Sequence, residues 1–170
     1  MSSAIQYQGR KARRAGSEQR RQAILEAALN IIVKEGIRAV RHRAVAREAD
    51  VPLSATTYYF KDISDLIADT FTLFAERALK EVIEPFKERA FALLSQFSRD
   101  SLADAEERQR LIDMMGKMMA AFIVDELNTR RGHLVAEQAF MQEAIMDSRL
   151  RELADLYLHQ QLESLIIATE

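Results

Sequence analysis

Arg41, His42 and Arg43 stand just ahead of a tight turn, and Ser54, Thr56, Thr57, Tyr58 and Tyr59 crowd the short segment after it. Two guanidinium groups and an imidazole at the start of a helix suit phosphate oxygens, which charged side chains and free helical N–H groups both bind. Hydroxyls reach phosphates or base edges, and methyl groups meet the C5-methyl of thymine. Leu53 and Lys61 bracket the second group, Lys61 adding a further cation. One of the two tyrosines is expected to pack inward, so the hydroxyl-rich segment serves both a core and a surface. This chemistry belongs to the reading of a nucleic acid.

Three short helices must hold these groups. Ala23, Ile24, Ala27, Ala28, Ile31 and Ile32 recur at helical spacing, with Ser17 as an N-cap and Gly36 at the C′ position. They predict a first helix over about 17–35. Val40, Ala44, Val45 and Ala49 predict a second over 41–48. Pro52 disfavours helix at Val51 and suits the start of a third, over 53–59. Phe60 anchors its end, and Asp62 or Ser64 caps a long fourth helix carrying Leu66, Ile67, Phe71, Phe74 and Ala78.

Beyond this head the pattern stays helical. Pro85 predicts a break or kink, followed by a helix through Phe86, Ala90, Leu93, Leu94 and Phe97. A long helix over about 102–128 carries Leu111, Ile112, Met115, Met118, Met119 and Phe122. Gly132 predicts the next break, ahead of helices over about 133–147 and 148–168. With five Gly and two Pro in 170 residues, the chain lacks the turns a strand-rich fold needs. The expected class is all-α.

Charge divides along the chain. Residues 1–60 carry 11 Lys/Arg against 5 Asp/Glu, a net of +6, whereas the remainder carries a net of −8. A basic head on an acidic body directs phosphate contact to the head alone. Arg10, Lys11, Arg13 and Arg14 lie in a non-periodic segment, read as a disordered basic arm over 1–16 that either follows the minor groove or backbone or never orders.

Several function classes are disfavoured. The chain has no Cys, so thiolate metal sites, disulfides and Cys nucleophiles are excluded. Its three His, at 42, 133 and 159, are scattered, and no Gly-rich phosphate loop or nucleophile signature is present. Glu106 and Glu107 sit beside Arg108 and Arg110, as on a solvated helix face. His133 and Glu137 are four apart but lack an evident third metal ligand, so they read as a surface pair. No enzyme activity, metal or cofactor is expected. No apolar run is long enough to span a bilayer, and no apolar segment follows the basic N-terminal residues, so a cytoplasmic protein without membrane association is expected.

The order of elements and particular residues resemble the TetR family of bacterial transcriptional regulators. RRQAILEAALNIIVKEG is similar to the family's first helix, with Ile24, Ala27, Ala28 and Gly36 at typical positions. VAREADVPLSATTYYF is similar to its helix-turn-helix, including Ala46, Ala49, Val51, Tyr58 and Phe60. DISDLIADTF is similar to the start of its connecting helix, with Leu66 in place. The resemblance covers about residues 17–75. Three positions depart from it: Asp50 replaces a frequent turn Gly, Arg41 a capping Thr, and Ile63 a phosphate-binding Lys.

The resemblance implies a head over 17–62 and an antiparallel helical bundle over 63–170 for ligand binding and dimerisation. Arg41, His42, Arg43, Leu53, Ser54, Thr56, Thr57, Tyr58, Tyr59 and Lys61 become the expected DNA-binding residues. Phe91, Met115, Met118, Met119, Phe122, Phe140 and Met141 become candidates for a pocket, since Met adapts to apolar ligands. The implied protein is a homodimeric regulator, most simply a repressor on a double-stranded, pseudo-palindromic operator, with an effector that is at least partly apolar. Family members usually continue for another helix or two and dimerise through the last pair, so the final two helices here are expected to contribute. The competing reading is a helical ligand-binding or protein-interaction module with a vestigial DNA head.

Overall fold

The computed structural model describes residues 6, 7 and 15–166, with side chains assigned up to residue 163. The expected arm, with Arg10, Lys11, Arg13 and Arg14, lies outside the described residues. The described residues form eight α-helices: α1 Ala15–Glu35, α2 His42–Glu48, α3 Leu53–Tyr59, α4 Ile63–Ala78, α5 Glu84–Leu94, α6 Ala105–Thr129, α7 Arg131–Met146 and α8 Ser148–Ile166. No strand occurs among the described residues. The all-α class read from composition and periodicity is the observed one.

Local chemistry sets most of the boundaries. Gly36 adopts φ +86° and its N–H returns to the Ile32 carbonyl at 3.0 Å, ending α1 with a conformation open to Gly at little cost. Asp62 accepts from the Asp65 N–H at 2.7 Å and caps α4. Asp104 accepts from the N–H groups of Glu106 and Glu107, so α6 starts at Ala105 rather than near residue 102. Asp147 does the same for Arg149 and Leu150 at the start of α8.

Two expected breaks fall differently. Pro85 does not interrupt the helix. Leu79–Ile83 forms a π-helical turn in which the Glu84 N–H reaches back to the Leu79 carbonyl. The altered register carries the chain into α5 with Pro85 in its first turn, where a missing N–H costs little. Gly132 lies inside α7, and the break comes at Arg130, with φ −122° and ψ 31°. The Arg130 guanidinium binds Asp125 at 2.5 Å and also Glu126 on the preceding turn, which fixes the corner two residues earlier.

The chain forms two compact units, one of Met1–Glu76 with Val135–Gln160, the other of Arg77–Leu134 with Gln161–Glu170. This division by compactness differs from the functional division at residue 62 expected from the motif. In the first unit Ile24, Leu25 and Ile32 of α1, Val45 of α2, and Phe60 and Leu66 are buried. The same unit holds an aromatic cluster in which Phe71 meets Phe140 and Tyr157 edge-on, with centroids 4.9 and 5.8 Å apart. Phe74 joins it at 5.5 Å from Phe140. The Tyr157 hydroxyl donates to Glu137 at 2.9 Å, satisfying the polar end of a ring that is otherwise buried.

A charged pair crosses this core. Arg21 of α1 binds Asp69 of α4 at 2.6 Å, with side chains 4% and 0% exposed. The Tyr7 ring lies 4.5 Å from the guanidinium carbon, and the Phe60 ring 5.6 Å from it. The Tyr7 hydroxyl in turn donates to Glu76 at 2.6 Å. Burial, then the Glu76 carboxylate, pushes the Tyr7 phenol well above its ordinary range.

In the second unit, Phe86 packs on Phe122 at 4.7 Å between centroids. His133 Nδ1 lies 3.4 Å from the buried Glu126 carboxylate. No helix among the described residues is long and apolar enough to cross a membrane.

Candidate nucleic-acid interface

The turn between α2 and α3 is made by backbone chemistry alone. The Ala49 N–H returns to Val45 at 2.9 Å, Asp50 to Arg47 at 3.3 Å, and Val51 to Ala46 at 3.0 Å. Asp50 adopts φ +51°, the left-handed conformation that Asp enters more readily than most side chains. The substitution for Gly at this turn is therefore accommodated. Pro52, extended at φ −59° and ψ 144°, precedes the first residue of α3. Arg41 is the residue before α2 and makes no side-chain cap, in line with its departure from a capping Thr.

α3 separates its hydroxyls into two sets. Leu53, Ser54, Thr57 and Tyr58 are exposed, as is Lys61 just beyond the helix. Thr56 and Tyr59, two of the expected DNA-binding residues, are buried. The Thr56 hydroxyl donates to the Leu53 carbonyl at 2.8 Å within its own helix. The Tyr59 phenol donates to the Ser17 carbonyl at 3.0 Å and lies 2.7 Å from the Ser17 hydroxyl. Both hydroxyls therefore have partners within the protein.

Ser17 also changes role. α1 begins two residues before it, so Ser17 is a tie between α1 and α3 rather than an N-cap. Tyr58, next to the tie, stands edge-on to Tyr59 with centroids 5.1 Å apart and keeps 54% of its surface in solvent. The inward tyrosine thus orients the outward one.

The cations fall into two groups. Arg41 and Arg43 are exposed and have no ion-pair partner among the described residues. Lys34 is paired with Glu48 at 3.0 Å and holds α1 to α2. His42 is half-buried, and its Nδ1 has no hydrogen-bond partner among the described residues. Ile63 is half-buried as the first residue of α4 and offers no charge there.

One residue overlooked in the sequence lies beside this surface. Arg20, exposed on α1 one turn after Ser17, lines an open depression with Ser54 and Tyr58 of α3. Its spacing from Ser17 was the available signal, but only the Ser17–Tyr59 tie gives that spacing a meaning.

The pocket candidates do not share one compact unit. Phe140 is fully buried in the aromatic core of the first unit, filled by Phe71 and Phe74, so it is not free to line a pocket. Met141 is half-buried in that unit. In the second unit Met115, Met118 and Phe122 are half-buried, whereas Phe91 and Met119 are each 42% exposed. His133 and Glu137 engage different partners, Glu126 and Tyr157 respectively, rather than a shared centre.

Residues 24–70 match the model of the bacterial regulatory proteins of the tetR family. No curated protein matches the chain. Among solved structures, it is similar to a member of the TetR family from Streptomyces coelicolor A3, at 27% identity and a TM-score of 0.56, over 86% of this chain and 75% of that one. It is also similar to the multidrug binding protein EbrR, complexed with imidazole, at 26% identity and a TM-score of 0.58, over 89% of this chain and 69% of that one.

Proposed function

We propose that this chain, which carries the N-terminal DNA-binding domain of the TetR family of bacterial regulatory proteins, is a ligand-responsive repressor acting as a homodimer. The observation that carries this reading is the division of α3. Thr56 and Tyr59 tie the helix to the head, while Ser54, Thr57 and Tyr58 stand in solvent on a helix of groove-fitting size. Arg41, Arg43 and Lys61 supply phosphate contacts, which the absence of a Lys at position 63 makes more important. His42 and Leu53 flank the same surface.

Two copies would set their α3 helices into successive major grooves, about 34–36 Å apart, on a pseudo-palindromic operator. Ile145 and Met146 at the end of α7 and Leu158 on α8 are exposed apolar residues, and they support a dimer built from the final helices. The likeness to a multidrug binding protein supports a small, partly apolar effector, with Met115, Met118 and Phe122 as its nearest candidates. An effector would release DNA by binding one dimer geometry better than the other, since equal affinity for both shifts nothing.

Selection of random-sequence duplex DNA over the purified full chain tests the proposal. Recovery of a palindromic consensus is the expected result. No enrichment would instead favour the helical interaction module with a vestigial head.

A further inference from the structure

A helix about 10–12 Å across fills a major groove about 12 Å wide, so the sugar-phosphate backbones must pass along its edges. Ser54 and Tyr58 are one turn apart on α3 and form such an edge. Beside them lies a depression of about 670 Å³, walled on the far side by Ser17 and Arg20 of α1 and bounded at the turn by Asp50. It opens broadly to solvent, unlike the enclosed clefts that hold small molecules. Among the described residues, Arg20 is the only cation lining it and Asp50 the only carboxylate. Arg20 has no ion-pair partner among the described residues.

Its walls are fixed. The Ser17–Tyr59 hydrogen bonds join α1 to α3 one turn before Arg20, and the Arg21–Asp69 pair holds the adjacent residue of α1 against α4. Arg20 is therefore presented by a braced helix, and only its own side chain has freedom to adjust. A guanidinium so placed suits a phosphate oxygen, and a carboxylate at the turn opposes one.

We infer that the depression between α1 and α3 is a track for one DNA backbone, in which Arg20 neutralises a phosphate and Asp50 weakens binding at the turn. The inference rests on the proposed DNA-binding function. It adds a contact from α1 to a surface otherwise drawn from α2, α3 and Lys61. It also predicts two charge substitutions of opposite sign on the same track.

The experiment measures the affinity of the full-length protein for the selected operator and for an unrelated duplex between 50 and 200 mM salt. Each neutralised phosphate adds about 0.9 to the slope of log affinity against log salt. Arg20→Gln is expected to lower that slope by about one, so that the variant loses about threefold less affinity than wild type over this range, and to weaken both duplexes alike. Asp50→Asn, which keeps a residue tolerant of the left-handed turn, is expected to strengthen both. Unchanged thermal unfolding midpoints verify that each variant is folded.

An Arg20→Gln protein with the wild-type slope overturns the track while leaving the regulator reading intact. So does a loss confined to particular base pairs, which would make Arg20 a base reader. A wild-type protein that binds neither duplex overturns both proposals.

Discussion

The Tyr59 phenol oxygen lies 2.7 Å from the Ser17 hydroxyl and 3.0 Å from the Ser17 carbonyl, joining residues 42 positions apart across α1 and α3. Two neighbouring tyrosines therefore do unlike work, one holding the helix and the other facing outward. Tyr58→Phe and Thr57→Ala are expected to change which operator bases are preferred, by about 1–3 kcal/mol at a contacted position. Thr56→Ala and Tyr59→Phe should lower stability, at about 1 kcal/mol per lost hydrogen bond, with base preference unaltered. Affinity across a panel of single-base operator variants separates the pairs. Identical profiles for all four substitutions would refute the division of α3.

The Arg21–Asp69 pair predicts an asymmetric response to mutation. Asp69→Ala leaves a buried guanidinium with only the half-exposed Glu18 carboxylate, at 3.4 Å, and should cost up to about 3–5 kcal/mol. Replacing both partners, Arg21→Met with Asp69→Leu, should restore much of that stability, because it removes the stranded charge. Urea unfolding of the two variants decides the matter. A double variant no more stable than Asp69→Ala would show that the pair is not the origin of the loss.

Phe140 is expected to behave as core. Phe140→Ala should destabilise the chain by about 3–5 kcal/mol through the cavity left beside Phe71 and Phe74. Met118→Ala, at a half-buried position in the other unit, should cost less and change effector response instead. Thermal unfolding with and without effector distinguishes these roles. A mild Phe140→Ala variant with altered effector response would return Phe140 to the pocket.

The Tyr7 phenol predicts a response at alkaline pH. Burial and the Glu76 carboxylate raise its folded-state value, so the neutral ring is the form that the fold favours. Its contribution to stability is complete below the unfolded value of about 10 and is lost as pH rises from there through the folded value. Wild-type protein should accordingly lose more stability than Tyr7→Phe between about pH 9 and 11. Equal losses in the two proteins would remove Tyr7 from the account.

Much of the head was legible because its signals are local. The spacing of Ile24, Ala28, Ile31 and Ile32, Pro52 before α3, and the tolerance of Asp50 for a left-handed turn all act within a few residues. What escaped depended on distant partners. Ser17 reads as a cap until Tyr59 arrives beside it, and Thr56 reads as a base contact until its face of α3 is seen to pack inward. Gly132 and Pro85 are strong local breakers, but Arg130 set the corner at its own position and a π-helical turn absorbed the proline. The body was read least well because Phe and Met look alike as core and as pocket lining. Only packing separates Phe140, against the rings of Phe71 and Phe74, from the exposed Phe91.

The Arg21–Asp69 pair also bears on how the proposed DNA-binding head could be recombined. A fragment cut at residue 62 would keep Arg21 and discard Asp69, together with Leu66 and Phe71. It would fold around a guanidinium left with only the half-exposed Glu18 carboxylate and around a missing wall. The transferable unit is longer than the proposed DNA-reading motif. A chimaera that grafts this head onto a foreign sensor must bring α4 with it at least as far as Asp69, and the junction belongs downstream of that residue.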